Sequence, residues 1–283
     1  MFERISNGWQ LAWQSWEVLK FDKELLMFPL LSGISLILVL ASFGVPILLN
    51  IDHVQQLMEN EDPTFQVLSW VGLFLFYFVN YFIIVFFNSA LVACAIIRFR
   101  GGDPTVSDGL SAAAARLPQI LGWAFVSATV GIILRAIESR SEKVGDFVAG
   151  LLGAAWSVTT YFVVPVIVIE KASPLKAFKR SLNILTRTWG ESIVAGFSLG
   201  WITLLFSLLA LLPLVLGGFL FQQGQIALGG VCIGVGVLGL LLVNLINSAL
   251  EAILLGALYL YAADGEIPDQ FDKSTFRTAF RQH

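Results

Sequence analysis

Residues 192–250 read SIVAGFSLGWITLLFSLLALLPLVLGGFLFQQGQIALGGVCIGVGVLGLLLVNLINSAL, 59 positions without one formal charge. A single helix of that length would reach about 90 Å at ~1.5 Å per residue, roughly three times the hydrocarbon core of a bilayer. The polar cluster Gln222, Gln223, Gly224 and Gln225 interrupts the run near its middle, so the stretch predicts two membrane-spanning helices joined by a turn. Uncharged runs over 25–51, 63–97, 117–134 and 147–169 predict four more. The six expected spans are 28–49, 68–97, 118–137, 147–169, 192–219 and 229–262. The second, fifth and sixth are longer than a bilayer requires and are expected to tilt, kink or project.

Composition points the same way. Hydrophobic residues make up 57% of the 283 and charged residues only 13%, with mean hydropathy +0.81, whereas soluble domains carry roughly 25% charged residues. The expected fold is all-α, a single polytopic membrane domain covering 1–283. Its parts are an N-terminal interfacial helix (1–27), a first hairpin (28–97), an interfacial segment with a second hairpin (98–169), another with a third hairpin (170–262), and a tail (263–283). The first span follows 27 residues of mixed charge without a small-residue cleavage site, as an uncleaved signal anchor would.

Lys and Arg orient the spans, because cytoplasmic flanks retain them. Of the 17 basic residues, fourteen lie in the N-terminal segment, the second and fourth loops and the tail, and three (Arg135, Arg140 and Lys143) lie around the third loop. Both termini are therefore expected in the cytoplasm, with the chain in a prokaryotic inner membrane. The net charge of −3 gives no basis for nucleic-acid binding.

An internal repeat is expected. Asn88-Ser89-Ala90-Leu91 recurs as Asn247-Ser248-Ala249-Leu250, and each is followed by an apolar half-helix, a Gly-containing acidic turn and a proline, at Gly101-Gly102-Asp103-Pro104 and Asp264-Gly265-Glu266-Ile267-Pro268. Ser157, Thr159 and Thr160, followed by Glu170 to Pro174, form a weaker third copy. Short amphipathic segments accompany these units. Leu175, Phe178, Leu182 and Leu185 recur at helical spacing beside Lys176, Lys179 and Arg180, and Trp9, Trp13 and Trp16 fall at i, i+4 and i+7, patterns suited to the headgroup layer. Three units of interfacial helix plus transmembrane hairpin follow.

Three stretches, FNSALVACAIIRFRGGDPTVSDGL (87–110), ILGWAFVSATVGIILRAIESRS (120–141) and YFVVPVIVIEKASPLKAFKRSLNILTRTWGE (161–191), resemble an uncharacterised family of bacterial and archaeal membrane proteins with a domain of unknown function. The N-terminal GWQLAWQSWEVLKFDKELLMFPLLSG is similar to the same family. More remotely, Pro174 to Ser181 and the following Trp189-Gly190 resemble the membrane domain attached to some glycerophosphodiester phosphodiesterases. The resemblance implies a six-span α-helical fold and carries over no catalytic residue.

Glu251 is the leading candidate for chemistry, since a carboxylate inside a span costs several kcal/mol unless protonated, paired or hydrated. It shares a helical face with Asn244 and Asn247, expected to point into the bundle, while Asn80 and Asn88 share a face of the second span. These five predict a polar site near the midplane, the alternative being interhelical hydrogen-bond glue. Arg98, Arg100, Lys176, Lys179, Arg180 and Arg187 are candidates for binding lipid headgroups, against the plainer reading of positive-inside charge. Arg135 is expected to snorkel or to pair with Glu138. His53, with Asp52, Glu59, Glu61 and Asp62, lacks ligand spacing, so no metal is expected. Cys94 and Cys232 read as buried free thiols. No phosphate-binding loop, H-E-x-x-H pair or G-x-S-x-G elbow occurs, and no cofactor is expected.

Two functions of different class fit these residues: a transporter or channel with a polar path through Asn88, Asn247 and Glu251, or a membrane-organising accessory protein binding lipid headgroups or a partner protein. A lipid-modifying enzyme is a third reading. Expected partners are membrane lipids, a protein partner or a second copy of the chain, and no nucleic acid.

Overall fold

The computed structural model describes residues 2–60, 63–139, 144–187 and 189–274, with side chains described for all of these except 2–8, 58, 144, 187 and 189–199. Among the described residues there is no strand. The helices are α1 (Phe2–Phe21), α2 (Met27–Leu49), α3 (Ile51–Glu59), α4 (Pro63–Phe99), α5 (Val106–Ala114), α6 (Leu117–Glu138), α7 (Val144–Thr159), α8 (Val163–Ile169), α9 (Pro174–Arg187), α10 (Trp189–Gln222) and α11 (Ile226–Asp264), with a 3-10 turn at Lys23–Leu26 before α2. Among the described residues, six stretches are long and apolar enough to cross a membrane: Lys23–Leu49, Pro63–Phe99, Leu117–Glu138, Gly145–Ile169, Gly200–Gln222 and Ile226–Asp264. The protein is an all-α membrane helix bundle. Leu204, Leu205, Leu208, Leu209 and Leu212 on α10 are exposed, as are Val231, Val235, Leu238, Leu241 and Leu242 on α11. A row of that size is a hydrocarbon-facing surface rather than a water-facing one.

The chain divides into two compact units, one of Met1–Pro29, Ala95–Pro104 and Thr186–His283, the other of Leu30–Cys94 and Thr105–Leu185. In the first, α10 and α11 form an antiparallel hairpin and α1 packs against both. The hairpin turn is dictated by Gly224, whose φ of +78° permits Gln225 N–H to reach back to Leu220 C=O at 3.0 Å and close the end of α10. Small residues then bring the two helices together. A Cβ on Gly217 would stand 2.9 Å from the Gly229 carbonyl oxygen, and one on Gly229 would stand 3.0 Å from that of Gly217. Without a hydrophobic drive inside lipid, such close packing is what holds spans together.

The N-terminal helix, expected to be interfacial, also has a buried face. Leu11, Ala12, Ser15, Val18 and Leu19, one face of α1, are buried, while Trp9 and Trp13 on another face are about half exposed. The face without the tryptophans is made of small and aliphatic residues and packs on the hairpin, as α1 touches both α10 and α11. At its end Asp22, 5% exposed, accepts from the Arg98 guanidinium through both oxygens, the Nε contact at 2.5 Å. Arg98 also reaches Asp103 at 2.6 Å, and its carbonyl accepts from Gln270 Nε2 at 3.1 Å.

In the second unit α6 and α7 pack together, and Trp123, Trp156 and Phe178 form a parallel stack with centroids 5.6 and 5.8 Å apart. The fourth span, expected as one stretch over 147–169, is two helices. Pro165 has no N–H for the Tyr161 carbonyl, and the chain turns at Thr160–Phe162 between α7 and α8. The opened backbone is satisfied from α9: Ser181 Oγ accepts the Phe162 N–H at 3.1 Å and donates to the Thr159 carbonyl at 2.8 Å. Broken helices persist at membrane depth only when such groups find partners inside the protein.

Candidate functional site

Within the first unit, α1, α10 and α11 enclose a partly open cleft of about 380 Å³. Trp9, Trp13 and Trp16 of α1 form one wall, and Ile202, Phe206, Val243, Ile246 and Leu250 form most of the rest. Its volume lies within the ~300–1,000 Å³ typical of small-molecule pockets. The tryptophans are brought there because the opposite face of α1 is buried, leaving the i, i+4, i+7 stripe to overhang the hairpin.

Two lining residues are polar, Thr203 and Asn247, and they begin a hydrogen-bonded string. The Thr203 hydroxyl donates to Asn247 Oδ1, and Asn247 Nδ2 donates to Glu251 Oε1 at 2.8 Å. Thr203 therefore turns the carboxamide so that its nitrogen meets the carboxylate one helical turn away. Glu251 is exposed, and no described Lys or Arg forms an ion pair with it. The string leads from two residues of the cleft wall, Thr203 and Asn247, to an oriented carboxylate one helical turn beyond the lining, which suits a cation or a hydrogen-bond donor attached to an apolar body.

The expected polar site is only partly assembled. Asn247 and Glu251 are joined, but Asn244 donates to the Leu240 carbonyl of its own helix at 2.8 Å. Asn244 and Glu251 are exposed and Asn247 is half-buried, so the face expected to point into the bundle is largely on the chain's surface. The reason is that α11 buries the neighbouring face, through Ala249, Ala252, Ile253 and Gly256. Asn80 and Asn88 lie in the other unit, where Asn80 Nδ2 donates to Phe76 C=O at 2.6 Å. The repeated tetrapeptide also meets different surroundings: Ser89 is fully buried and Ser248 exposed, although Gly101 and Gly265 end α4 and α11 with the same left-handed φ, +82° and +72°.

Of the proposed headgroup cations, Arg98 is held by Asp22 and Asp103, and Arg180 pairs with Glu170 at 2.8 Å. Arg100, Lys176 and Lys179 are exposed. The Arg187 side chain lies outside the described residues. Arg135 is exposed and pairs with Glu138 at 2.8 Å. His53 sits on α3 with Asp52 and Glu59, while Glu61 and Asp62 lie outside the described residues. No group of three or more His, Cys, Asp or Glu among the described residues could hold a metal ion. Cys94 is buried and Cys232 half-buried, and neither is joined in a disulfide among the described residues. The Thr105 hydroxyl and backbone N–H hold the Asp108 carboxyl below the usual carboxylate range, within a capping box that starts α5.

Sequence reading missed Thr203 and Ser181. Thr203 is a polar interruption in the apolar run of α10, and Ser181 sits among Ala177, Ile184 and Leu185 on the buried face of α9, so each carried a faint signal as a lone hydroxyl on an apolar face.

Residues 67–268 match the model of a family of unknown function, DUF6159. The chain belongs to the DUF6159 family. No curated protein sequence matches it. Within this DUF6159 chain the matched region contains Thr203, Asn247 and Glu251, but α1 with its three tryptophans precedes it.

Proposed function

We propose that this DUF6159 protein is a lipid-binding, membrane-organising protein that holds the apolar part of an amphiphile in the Trp-lined cleft and its polar end at Asn247 and Glu251. The observation that carries this reading is the junction of the two surfaces: a cleft of about 380 Å³ with apolar walls ends at the Thr203–Asn247–Glu251 string. Depth supports it. About 20 helical residues cross a bilayer core, and that count, taken inward from the turn at Gln222–Gln225, reaches Thr203 on α10 and Asn247 on α11. The string and the tryptophans then lie at the level of the headgroups, where Trp is enriched. The fourteen-to-three distribution of basic residues supports the cytoplasmic leaflet as that level.

A solute path near the midplane would need polar groups facing an enclosed space. Asn244 and Glu251 are instead exposed, and Asn80 is bonded to its own helix, which favours the accessory reading over a transporter. The exposed Lys176 and Lys179 on the strongly amphipathic α9 fit the same leaflet.

The test is to fill the cleft. Leu250→Trp should leave the detergent-purified protein monodisperse and reduce the phospholipid it retains, measured by native mass spectrometry. Retention equal to that of the wild type would remove the cleft as a lipid site.

A further inference from the structure

We propose that Glu251 makes the cleft selective for amphiphiles whose head carries a protonated amine, an inference that rests on the lipid-binding reading above. Several observations converge on it. Glu251 has one oxygen engaged, Oε1 accepting from Asn247 Nδ2 at 2.8 Å, and its other oxygen has no partner among the described residues. Its side chain is exposed and forms no ion pair with a described Lys or Arg. Three other carboxylates of the same unit are neutralised, Asp22 and Asp103 by Arg98 and Asp269 by Lys273.

The string also gives the carboxylate a direction. Because Asn247 Oδ1 accepts from Thr203, its Nδ2 must face Glu251, and this donor holds one carboxylate oxygen while the second stays available to an ammonium. The aromatic wall adds to the same preference. Ring faces attract cations, and Lys20 Nζ already stands 5.5 Å from the centroid of the Trp13 ring. An anionic head without an amine, such as phosphoglycerol, would bring like charge to Glu251 and find no cation lining the cleft. A phosphoethanolamine head would place its ammonium at the carboxylate while its acyl chain lies against Phe206, Val243 and Ile246.

The experiment uses the full chain in nanodiscs of equimolar phosphatidylethanolamine and phosphatidylglycerol with identical acyl chains, released into native mass spectrometry. The wild type should retain the ethanolamine lipid about fivefold over the glycerol lipid, the scale of one partly exposed ion pair. Glu251→Gln keeps the shape and the Asn247 contact but removes the charge, so the preference should be lost, with retention of the ethanolamine lipid falling to that of the glycerol lipid. Equal retention of both lipids by the wild type, or enrichment of the glycerol lipid, overturns the amine inference and leaves lipid binding standing. A preference that survives in Glu251→Gln overturns the role of Glu251. Failure to retain either lipid, in the wild type and in Leu250→Trp alike, sinks the lipid-binding reading itself.

Discussion

Ser181 on α9 holds Phe162 in place across 19 residues of chain, its Oγ accepting the Phe162 N–H at 3.1 Å while both residues are fully buried. The same hydroxyl donates to the Thr159 carbonyl, so one side chain satisfies both sides of the break between α7 and α8. An amphipathic helix that composition assigns to the headgroup layer thus also closes a backbone defect.

Replacing that hydroxyl leaves a buried N–H and a carbonyl unpaired, which costs about 1–3 kcal/mol for each group so exposed to an apolar surrounding. Ser181→Ala should therefore lower the unfolding free energy by roughly 2 kcal/mol. Chemical denaturation of the protein in detergent measures it, and a loss near zero would mean that water or another group takes over.

Asp22 and Asp103 both contact Arg98 but differ in surroundings, at 5% and 93% side-chain exposure. Breaking a buried pair leaves an uncompensated charge, at about 3–5 kcal/mol, and the quarter-exposed Arg98 puts Asp22→Ala near the lower end. Asp103→Ala should cost at most about 1 kcal/mol. Comparing the two unfolding midpoints tests the difference, and equal midpoints would show that burial does not set the strength of this pair.

The α10–α11 contact makes a three-residue prediction. Gly217→Ala and Gly229→Ala each push a methyl against a carbonyl oxygen at 2.9 and 3.0 Å, overpacking that costs about 1–3 kcal/mol. A Cβ on Gly230 meets nothing within 4 Å, so Gly230→Ala should be neutral or slightly stabilising. Melting temperatures of the three variants in one detergent suffice, and a penalty at Gly230 equal to that at Gly229 would contradict the close approach.

Asp108 supplies a pH test. Its carboxyl is held below the ordinary 3.8 by the Thr105 hydroxyl and N–H, so the charged form is favoured in the folded state. The sign follows: its contribution to stability is complete above 3.8 and is lost as pH falls through the lower folded value. Thr105→Ala should move the Asp108 titration up toward 3.8, read by NMR of the labelled carboxyl. An unmoved titration would assign the depression to another group.

The membrane class, the six apolar stretches and the hairpin turn after Gln222 were legible in the order of residues alone, because they depend on charge and hydropathy along the chain, which are local quantities. The tryptophan stripe and the shared face of Asn247 and Glu251 were legible for the same reason, being set by helical period. Packing decided which way those faces turned. Burial of Leu11, Ser15 and Val18 sends Trp9 and Trp13 over the cleft, and burial of Ala249 and Ile253 leaves Glu251 at the surface. The partners of Asn247 and Ser181 were decided in the same way, since Thr203 lies 44 residues from Asn247 and Thr159 lies 22 from Ser181. A hydrogen bond between distant residues exists only where tertiary packing brings donor and acceptor within about 3 Å, and no periodicity in the chain specifies that distance.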